Sequence, residues 1–392
     1  MKFLEPQVVT YFFGDSAFTS TLYYGADARE SLRRLAPKSF QCVVTSPPYW
    51  GLRDYGTGFW KGGEPACDHF ANDPPSESEV RCDRCGASWT DDQIGVEQSP
   101  EDYVAELVGV FREVRRVLRD DGVLWLNLGD SYAGGNRGSP SLSGLKPKDL
   151  VGIPWAVAFA LRADGWYLRS DVIWAKGNPM PESVTDRPTR SHEYVFLLTK
   201  SENYFYDSVA VKEASLSGDA RKPHGKGQVS VGGRPASGSR VESNISSGVL
   251  LTRNRRSVWT INPKPYKGAH FAVMPPLLAE LCIKAGSSEK GCCPTCGAPR
   301  AREAGWGPTC ACPEQVPVPC KILDPFSGSG TTGFVANRLG RNYVGTDLNP
   351  DYLPLAKARI LGEDPPEKNP HPLAESILDL FGVDFPPSGR SP

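Results

Sequence analysis

The segment Thr45-Ser46-Pro47-Pro48-Tyr49-Trp50 combines two aliphatic hydroxyl groups, two prolines and two aromatic side chains directly after an apolar run. Two consecutive prolines fix φ and remove two N–H donors, so the carbonyls beside them are held rigid and can accept from another molecule. An exocyclic amine of a nucleobase is a poor nucleophile because its lone pair is delocalised into the ring. Hydrogen bonds from its N–H groups to Ser46 and to a main-chain carbonyl would draw the nitrogen toward tetrahedral geometry and expose that lone pair.

The same segment offers a way to hold such a base. An amine inside a duplex cannot be reached, so the base must be flipped out, and Tyr49 can stack on it. We therefore predict that Ser46, Pro47, Pro48 and Tyr49 are catalytic. The structural alternative is a proline-rich turn that ends a strand.

A second segment, Asp324-Pro-Phe-Ser-Gly-Ser-Gly-Thr-Thr332, stands between an apolar run and a helical pattern. Its small residues let a ligand approach the backbone, and the start of a helix favours polar ligand groups. It lacks the lysine of a phosphate-binding loop and the G-x-G-x-x-G spacing of dinucleotide sites. The next strand pattern ends in Asp347, whose carboxylate can accept both ribose hydroxyls of an adenosine cofactor. A tight turn followed by a helix-capping Asp is the alternative.

The elements around these segments alternate between strand and helix patterns. Residues 20–50 form a β-α-β unit, and residues 99–122, with one apolar face, form an amphipathic helix that leads into the strand VLWLNLGD. Residues 153–165 repeat the helix pattern and are followed by two strands. This alternation predicts an α/β fold, a mostly parallel sheet with helices on both faces. The first half of a nucleotide-binding fold is restated at the C-terminal end, around the glycine-rich segment.

Polar residues at the ends of these strands are secondary candidates. Asn127 and Asp130 end the strand VLWLNLGD and would point toward the cleft, with a role in the turn as the equal alternative. The charged stretch from Asp186 to Glu193 could place cations near phosphate, or could be ion-paired at the start of a strand.

The overall charge of the 392-residue chain is close to neutral, at a formal −1, so charge must be read locally. Residues 212–256 carry nine Lys and Arg against three Asp and Glu, an excess of about six positive charges. This basic loop predicts phosphate contacts by Arg253, Arg255 and Arg256, with a solvated linker as the alternative. No apolar run is long enough for a signal peptide or a membrane span, which predicts a cytoplasmic protein.

Several of the eleven cysteines are spaced like metal ligands. We predict two structural zinc ribbons because paired cysteines at these spacings are typical of tetrahedral zinc, with free thiols or core cysteines as the alternative. Cys292 could replace Cys293 in the second set, and Cys42, Cys282 and Cys320 are expected to be small buried residues. The two predicted ligand sets are Cys67, His69, Cys82 and Cys85, and Cys293, Cys296, Cys310 and Cys312.

The proline segment and the glycine-rich segment together resemble the DNA amino-methyltransferases of restriction-modification or phage type. In that family a (D/N/S)PP(Y/F) motif is catalytic and a DPF-x-GSGTT motif binds S-adenosylmethionine. The catalytic motif comes first here, as in the circularly permuted β class. The resemblance covers most of residues 20–360 and implies a Rossmann-like methyltransferase sheet of seven mostly parallel strands, with the two zinc ribbons as inserts.

The resemblance also assigns residues to the cofactor. Asp27 would lie near the adenine, with an ordinary helix N-cap as the alternative. His270 and Phe271 resemble the start of the helix that packs against the methionine end, with an ordinary helix start as the alternative. The residues that match the cofactor motifs are Asp324, Phe326, Gly328, Gly330, Thr331 and Asp347.

The domain organisation follows from these assignments. Residues 1–50 and 95–211 form the catalytic half, interrupted by a zinc-binding insert at 51–94. The basic loop, which the resemblance predicts to be the target-recognition region, spans 212–258, and 259–290 leads into the cofactor half. The remaining predicted parts are a second zinc-binding insert at 291–320, the cofactor-binding half at 321–362 and a Pro-rich tail at 363–392.

The implied activity is methyl transfer from S-adenosylmethionine to the exocyclic amine of a flipped base in double-stranded DNA. Ser before Pro-Pro usually accompanies cytosine N4 methylation in this family, so cytosine N4 is predicted and adenine N6 is the alternative. A companion restriction endonuclease is a partner that the resemblance allows. Two other classes remain open: a nucleotide-dependent oxidoreductase, in which the Ser-Pro-Pro-Tyr turn would have no task, and a non-catalytic zinc DNA-binding protein.

Overall fold

The structure is a computed structural model, and it describes residues 7–12, 18–52, 56–64, 66–67, 81–134, 145–215, 252–264, 266, 273–302 and 305–363. The strands of these residues are β1 Gln7–Phe12, β2 Thr19–Tyr24, β3 Phe40–Thr45, β4 Phe59–Lys61, β5 Ser88–Thr90, β6 Leu118–Leu128, β7 Tyr167–Ala175, β8 His192–Thr199, β9 Glu213–Ala214, β10 Thr252–Arg253, β11 Val258–Thr260, β12 Arg300–Ala301, β13 Gly307–Pro308, β14 Lys321–Asp324 and β15 Asn342–Asp347. The helices are α1 Ala28–Arg33, α2 Pro100–Val117, α3 Ile153–Ala163, α4 Pro276–Gly286, α5 Thr331–Arg338 and α6 Leu353–Leu361, with a short 3-10 turn at Pro350–Tyr352.

Nine strands form one sheet in the order β1-β2-β15-β14-β3-β6-β8-β7-β11. The pairings from β2 to β6 and between β7 and β11 are parallel, whereas β1 with β2, β6 with β8, and β8 with β7 are antiparallel. The two strands of the glycine-rich segment, β14 and β15, come last in the chain but lie beside β3 and β2 in the middle of the sheet. This confirms the predicted α/β sheet.

Helices cover both faces of the sheet, as the alternation predicted. Along β3, Cys42 and Val44 belong to the apolar core under α4, α5 and α6, whereas Val43 belongs to the core under α1, α2 and α3. Trp125 and Leu124 of β6 divide in the same way. Successive side chains of a strand point to opposite faces, so a central strand such as β3, covered on both sides, is buried along its whole length.

The helix α2 illustrates how local sequence fixes these elements. Ser99 caps its start by accepting from the N–H of Asp102, and Pro100 occupies the first turn, where a missing N–H costs nothing. Its buried residues lie on one face and pack against the sheet; they are Pro100, Tyr103, Leu107, Val110, Phe111, Val114 and Val117.

The sheet has two more strands than the seven that the resemblance implied. At one edge, β1 pairs with β2 over six residues, and at the other, β11 pairs with β7 over three. The sequence analysis missed both because β1 lies at the exposed edge with a weak apolar alternation and β11 is only three residues long. The seven strands from β2 to β7 in the sheet order are the expected set.

The topology brings the ends of many strands to one edge of the sheet. The parallel strands β2, β15, β14, β3 and β6 all end there, and so does β7, while the antiparallel β8 begins there. Ligands of open α/β sheets bind outside the carboxyl ends of the parallel strands. We call this side the carboxyl edge. No helix of the described residues is long and apolar enough to cross a membrane.

Candidate active site

The proline turn follows β3 at the carboxyl edge. All six residues of β3 are buried, and Ser46, the next residue, is partly exposed. The Tyr103 hydroxyl of α2 donates to the Pro48 carbonyl at 2.9 Å, and the Trp50 indole donates to the Glu97 carbonyl at 3.0 Å. These bonds fix the turn against the helical layer.

A network of polar side chains surrounds Ser46. The Tyr49 hydroxyl donates to Oε2 of Glu193 at 2.6 Å, and Ser46 Oγ lies 3.2 Å from the Tyr49 hydroxyl. The Asn127 amide donates to the Tyr49 hydroxyl at 2.8 Å and to Glu193 Oε2 at 2.9 Å. Lys176 Nζ forms an ion pair with Glu193 Oε1. The network joins the ends of β3, β6 and β7 to the start of β8.

The donors in this network fix the direction of the Ser46 hydroxyl. Tyr49 has one proton, and it goes to the Glu193 carboxylate, which only accepts. Ser46 must therefore donate its own proton to the Tyr49 oxygen. The Asn127 amide also donates to Ser46 Oγ, at a long 3.4 Å, so this oxygen has one further lone pair with which to accept from an exocyclic amine.

Close packing holds the Tyr49 ring. A Cβ placed on Gly129 would lie 2.6 Å from that ring, so only glycine permits the approach. Burial and the neighbouring Glu193 carboxylate raise the pKa of Tyr49 well above its usual value. Tyr49 is therefore a neutral phenol in the resting site, able to accept from Ser46 and to donate to Glu193.

The glycine-rich turn lies one strand away from the proline turn, after β14. The N–H of Gly328, at φ +49°, donates to Asp347 Oδ2 at 2.7 Å, and Asn349 N–H donates to Oδ1 at 2.9 Å. The buried Tyr24 hydroxyl donates to the Gly328 carbonyl at 2.8 Å and braces the turn from below. A Cβ on Gly328 would meet no described atom within 4 Å, so this side of the turn faces open space.

Gly330, at φ +76°, has a different reason to be glycine. A Cβ there would lie 3.0 Å from the Cα of Ala356 in α6, so glycine allows α5 and α6 to pack closely. Thr331 and Thr332 begin α5 and are buried, while Phe326 is partly buried in the turn. Within this motif, Gly328 therefore lies where the turn faces open space, whereas Gly330 allows two helices to pack closely.

Asp324 connects the two turns. Its carboxylate accepts from Thr45 Oγ1 at 2.6 Å and from Thr332 Oγ1 at 2.7 Å, and Phe326 N–H donates to it at 3.1 Å. Because burial disfavours the ionised carboxyl, the pKa of Asp324 is raised to about 6. Thr45 directly precedes Ser46, so this buried bond fixes the proline turn relative to the glycine-rich turn.

The assignments of Asp27, His270 and Phe271 to the cofactor site rested on the resemblance alone. Asp27 is the N-cap of α1: it accepts from the N–H of Arg29 at 2.7 Å and pairs with the Arg29 guanidinium, which also binds Glu106. This is the alternative that the sequence left open, and a role near adenine stays a prediction. His270 and Phe271 lie outside the described residues.

The predicted metal ligands gather in two clusters. The sulfur atoms of Cys67, Cys82 and Cys85 lie within 4.8 Å of one another, and His69 lies outside the described residues. A tetrahedral zinc with four Zn–S bonds of about 2.3 Å needs sulfur atoms about 3.8 Å apart. The Cys67 and Cys82 sulfurs are 3.8 Å apart. The first cluster thus has the spacing that zinc requires.

The second cluster contains Cys293, Cys296, Cys310 and Cys312, again within 4.8 Å of one another. The N–H of Cys296 donates to the Cys293 sulfur and lowers the pKa of that thiol to about 6. Cys292 is buried, with its sulfur 3.5 Å from the Val318 carbonyl, so the structure favours Cys293 in this set.

Three cysteines were expected to be small buried residues. Cys42, Cys282 and Cys320 are all buried, which confirms that expectation.

The two cysteine-containing inserts are anchored at opposite edges of the sheet. The insert with the first cluster begins after the proline turn and closes where Gly51 N–H donates to the Gly95 carbonyl at 2.9 Å, beside Tyr49. The second cluster packs on the starts of the strands, where Gln41 donates to the Gly297 carbonyl at 2.8 Å and accepts from Lys321 N–H at 2.7 Å. Of the two inserts, the one with the first cluster is anchored at the carboxyl edge, where Ser46 lies.

The three arginines predicted to bind DNA make contacts within the chain. Arg253 and Arg256 both pair with Glu213, at 2.8 and 2.7 Å, and Arg255 donates to the Val211 carbonyl at 2.8 Å. They lie at the base of the basic loop, whose residues 216–251 are outside the described part of the chain. Arg256 is the most available of the three: its side chain is 68% exposed, against 22% for Arg253.

Of the secondary candidates from the sequence, Asn127 joins the active-site network and the others stabilise the fold. Asn127 joins the network at Ser46, whereas Asp130 accepts from the N–H groups of Gly152 and Ile153 at 2.8 and 2.9 Å and so caps α3. The charged stretch before β8 is largely ion-paired, with Asp186 bound to Lys148, Arg187 to Glu182 and Arg190 to Asp130.

The sequence analysis missed two residues of the network. Glu193 was considered only as part of that charged stretch, and Lys176 was not singled out. Both lie at the turn between antiparallel strands, with Glu193 opposite Trp174 in the register of β7 and β8. The sequence signal that could have found them was a lysine at the end of one predicted strand and a glutamate at the start of the next.

Fold and site together define a class of protein: an α/β sheet whose central strands carry a Ser-Pro-Pro-Tyr turn and a glycine-rich turn side by side. A family model described as DNA methylase matches residues 40–358, which is most of the chain. The chain belongs to this DNA methylase family of N6 and N4 methyltransferases, of the restriction-modification type. DNA is accordingly its class of substrate.

Individual relatives match over nearly the whole chain. It is 42% identical over 351 residues to the type II methyltransferase M.SmaI of Serratia marcescens, covering 86% of this chain and 89% of that protein. It is 41% identical over 361 residues to M.Cfr9I of Citrobacter freundii, covering 88% and 89%. The solved PvuII DNA methyltransferase (cytosine-N4-specific) has a TM-score of 0.51 at 17% identity over 95% of each chain, which is a likeness of fold.

Proposed function

We propose that the chain transfers a methyl group from S-adenosylmethionine to the exocyclic amine of a flipped base, cytosine N4. The observation that carries this proposal is the direction of the Ser46 hydroxyl: its proton is directed to Tyr49, so its oxygen can accept from an amine. Ser46 and a carbonyl of the proline turn would accept the two N–H groups and localise the nitrogen lone pair. Family membership supports the reaction class.

The glycine-rich turn fits S-adenosylmethionine. Space beside Gly328, a carboxylate at Asp347 and the fixed distance to the proline turn through Asp324 are the features that favour it. Asp347 would accept the ribose hydroxyls, and Phe326, Gly328, Gly330 and Thr331 would form the wall of the site. When bound, the sulfonium would supply an electrophilic methyl group, with a neutral thioether as the leaving group that needs no acid. We also propose that the order of the two motifs reflects circular permutation, with the predicted domain limits retained.

Cytosine N4 and adenine N6 are both ring-conjugated amines, so the network at Ser46 would serve either. The choice of cytosine rests on serine at the position before Pro-Pro, and adenine N6 is the alternative. Incubating the protein with duplex DNA and methyl-labelled S-adenosylmethionine tests the proposal. Label in DNA is expected, and no label across a set of unmethylated genomic DNAs would overturn it.

We propose that each cysteine cluster holds one structural zinc ion, with His69 as the fourth ligand of the first. Cys85→Ser and Cys296→Ser should each remove one ion, from two per chain to one, and lower the midpoint of thermal unfolding. Because the insert that carries the first cluster begins and ends beside the proline turn, Cys85→Ser should also reduce methylation, whereas Cys296→Ser should act through stability.

Elemental analysis of the purified protein is the measurement for the zinc prediction. Cys282→Ala, at a buried cysteine outside both clusters, should keep both ions. A wild-type protein prepared with zinc that retains none would refute the assignment.

We propose that the basic loop tracks DNA phosphates and that Arg256 is one contact. Arg256→Ala should weaken DNA binding and reduce the slope of log K against log salt by about 0.9. Arg253 still pairs with Glu213 in this variant, so the β9–β10 pair is retained. Arg34→Ala, at an exposed arginine paired with Glu30 after α1, is the control. A parental salt slope in Arg256→Ala would argue that this residue makes no phosphate contact.

A further inference from the structure

Glu193 occupies a place that the Ser-Pro-Pro-Tyr motif does not explain. Its side chain is only 13% exposed, and it receives three donors: the Tyr49 hydroxyl, the Asn127 amide and the Lys176 ammonium. Ionised groups are rarely buried to this extent unless they are paired. The chain therefore maintains a buried carboxylate two hydrogen bonds from the atom that would hold the substrate amine.

The proposed reaction needs a proton acceptor. As the N–CH3 bond forms, the S–CH3 bond breaks with its electron pair left on sulfur, and the amine nitrogen becomes cationic. It must then lose one proton. Ser46 is the side chain that contacts this N–H, but a serine hydroxyl is too weak a base to keep the proton.

The hydrogen-bond directions provide a route for that proton. Ser46 Oγ can take the amine proton only as its own proton passes to the Tyr49 oxygen, and Tyr49 in turn passes its proton to Glu193 Oε2, 2.6 Å away. Each oxygen gains one proton and loses one, so only Glu193 changes its protonation. The negative charge at the end of the chain also polarises Ser46 toward the amine before transfer.

Lys176 and Asn127 both contact the Glu193 carboxylate and fix its position. Lys176 pairs with Oε1, the oxygen that Tyr49 does not use, and its ammonium lies 4.7 Å from the centre of the Trp174 ring. Asn127, 3% exposed, donates to both Tyr49 and Oε2 and sets their separation. These two contacts hold the carboxylate in place, with Oε2 toward the Tyr49 hydroxyl.

We propose that Glu193 is a positioning residue and the final proton acceptor for the amine, acting through Tyr49 and Ser46. The inference rests on the proposed methyl transfer. It assigns a task to a carboxylate outside the Ser-Pro-Pro-Tyr segment, and it explains how a neutral serine serves where a more basic acceptor would be expected.

The first test is the single-turnover methylation rate of Glu193→Gln, which keeps the shape of the side chain but cannot accept the proton. A loss of about 100-fold or more is expected, since a positioned base contributes about 10²- to 10⁴-fold. The affinity for S-adenosylmethionine should stay within about twofold of the wild type. Glu113→Gln, at a partly buried glutamate paired with Arg116 on α2, is the matched control and should keep the parental rate.

A double variant separates a proton route from a structural role. Tyr49→Phe, which breaks the same route, should be slow, and adding Glu193→Gln to it should cost little more. The comparison of Tyr49→Phe with the double variant remains informative even where Glu193→Gln alone is poorly stable.

A Glu193→Gln rate within threefold of the wild type would overturn the inference while leaving the methyl-transfer proposal intact. Losses that simply add in the double variant would equally contradict one shared route. Failure of the wild-type protein to methylate any DNA would instead remove the proposed function itself.

Discussion

Ser46→Ala should reduce the rate of methyl transfer by about a hundredfold to about ten-thousandfold. The variant removes the only side-chain acceptor that the network directs at the amine, and it interrupts the path to Glu193. Losing one such preorganised contact costs about 10²- to 10³-fold, and losing a proton route adds to this. The measurement is the single-turnover rate with saturating cofactor and DNA.

Binding steps should be almost unaffected in Ser46→Ala. Asp324 is held by Thr45 and Thr332 and not by Ser46, so cofactor affinity should stay within about twofold of the wild type. Ser39→Ala is the control, because it deletes a hydroxyl just before β3 begins, at the other end of this strand from Ser46. It should keep the parental rate of methyl transfer. A Ser46→Ala enzyme with at least a third of the parental rate would mean that the main-chain carbonyls alone activate the amine.

Asp347→Ala should weaken S-adenosylmethionine binding by a factor of tens to hundreds. Two hydrogen bonds from ribose hydroxyls to a charged acceptor are worth on the order of 2–4 kcal/mol, and each 1.4 kcal/mol is tenfold in Kd. The variant also frees the N–H of Gly328, so part of the loss comes from the turn itself. Asp347→Asn keeps the side-chain shape and should show a smaller loss. Titration calorimetry measures both.

The same carboxylate predicts a pH dependence of cofactor affinity. Burial raises the pKa of Asp347 to about 6, above an ordinary value near 4. The ionised form is the better ribose acceptor, so affinity should be full above pH 6 and fall below it, by at most about tenfold per pH unit. Without cofactor the sign is reversed: the buried carboxyl prefers its proton, and its contribution to stability declines as pH rises from about 4 through about 6.

Two variants isolate the contribution of Asp347 to this pH dependence. Asp347→Asn should flatten the dependence, and any slope that remains belongs to Asp324, whose pKa is also raised to about 6. Asp351→Ala, at an exposed carboxylate in the following turn, should leave both affinity and pH dependence unchanged. Parental affinity in Asp347→Ala would remove this residue from the cofactor site.

The sequence was sufficient to predict the central sheet and the two turns. The apolar runs of β3, β6 and β14 are buried on both faces, so their pattern is strong, and the turns after β3 and β14 have unusual compositions that few structures require. The alternation of strands and helices also indicates which ends meet at one edge. These features depend on local residues and on general rules of α/β topology.

Other parts depend on contacts between distant residues and could not be predicted in the same way. Glu193 reaches Tyr49 only because β8 runs antiparallel between β6 and β7, a pairing that local pattern does not specify. The pairing of Arg253 and Arg256 with Glu213 depends on how the basic loop closes. That the second cysteine cluster packs at the far edge likewise follows from a contact with Gln41.

The most direct test of the account is to identify the methylated nucleoside. DNA treated with the wild-type protein and S-adenosylmethionine would be digested to nucleosides and analysed by mass spectrometry, with Ser46→Ala as the inactive control. The account predicts N4-methylcytosine in the wild-type sample and background in the control. N6-methyladenine would contradict the choice of base. Methylation at carbon 5 of cytosine would contradict the central claim, because Ser46 and the proline turn are arranged to activate an amine and not a ring carbon.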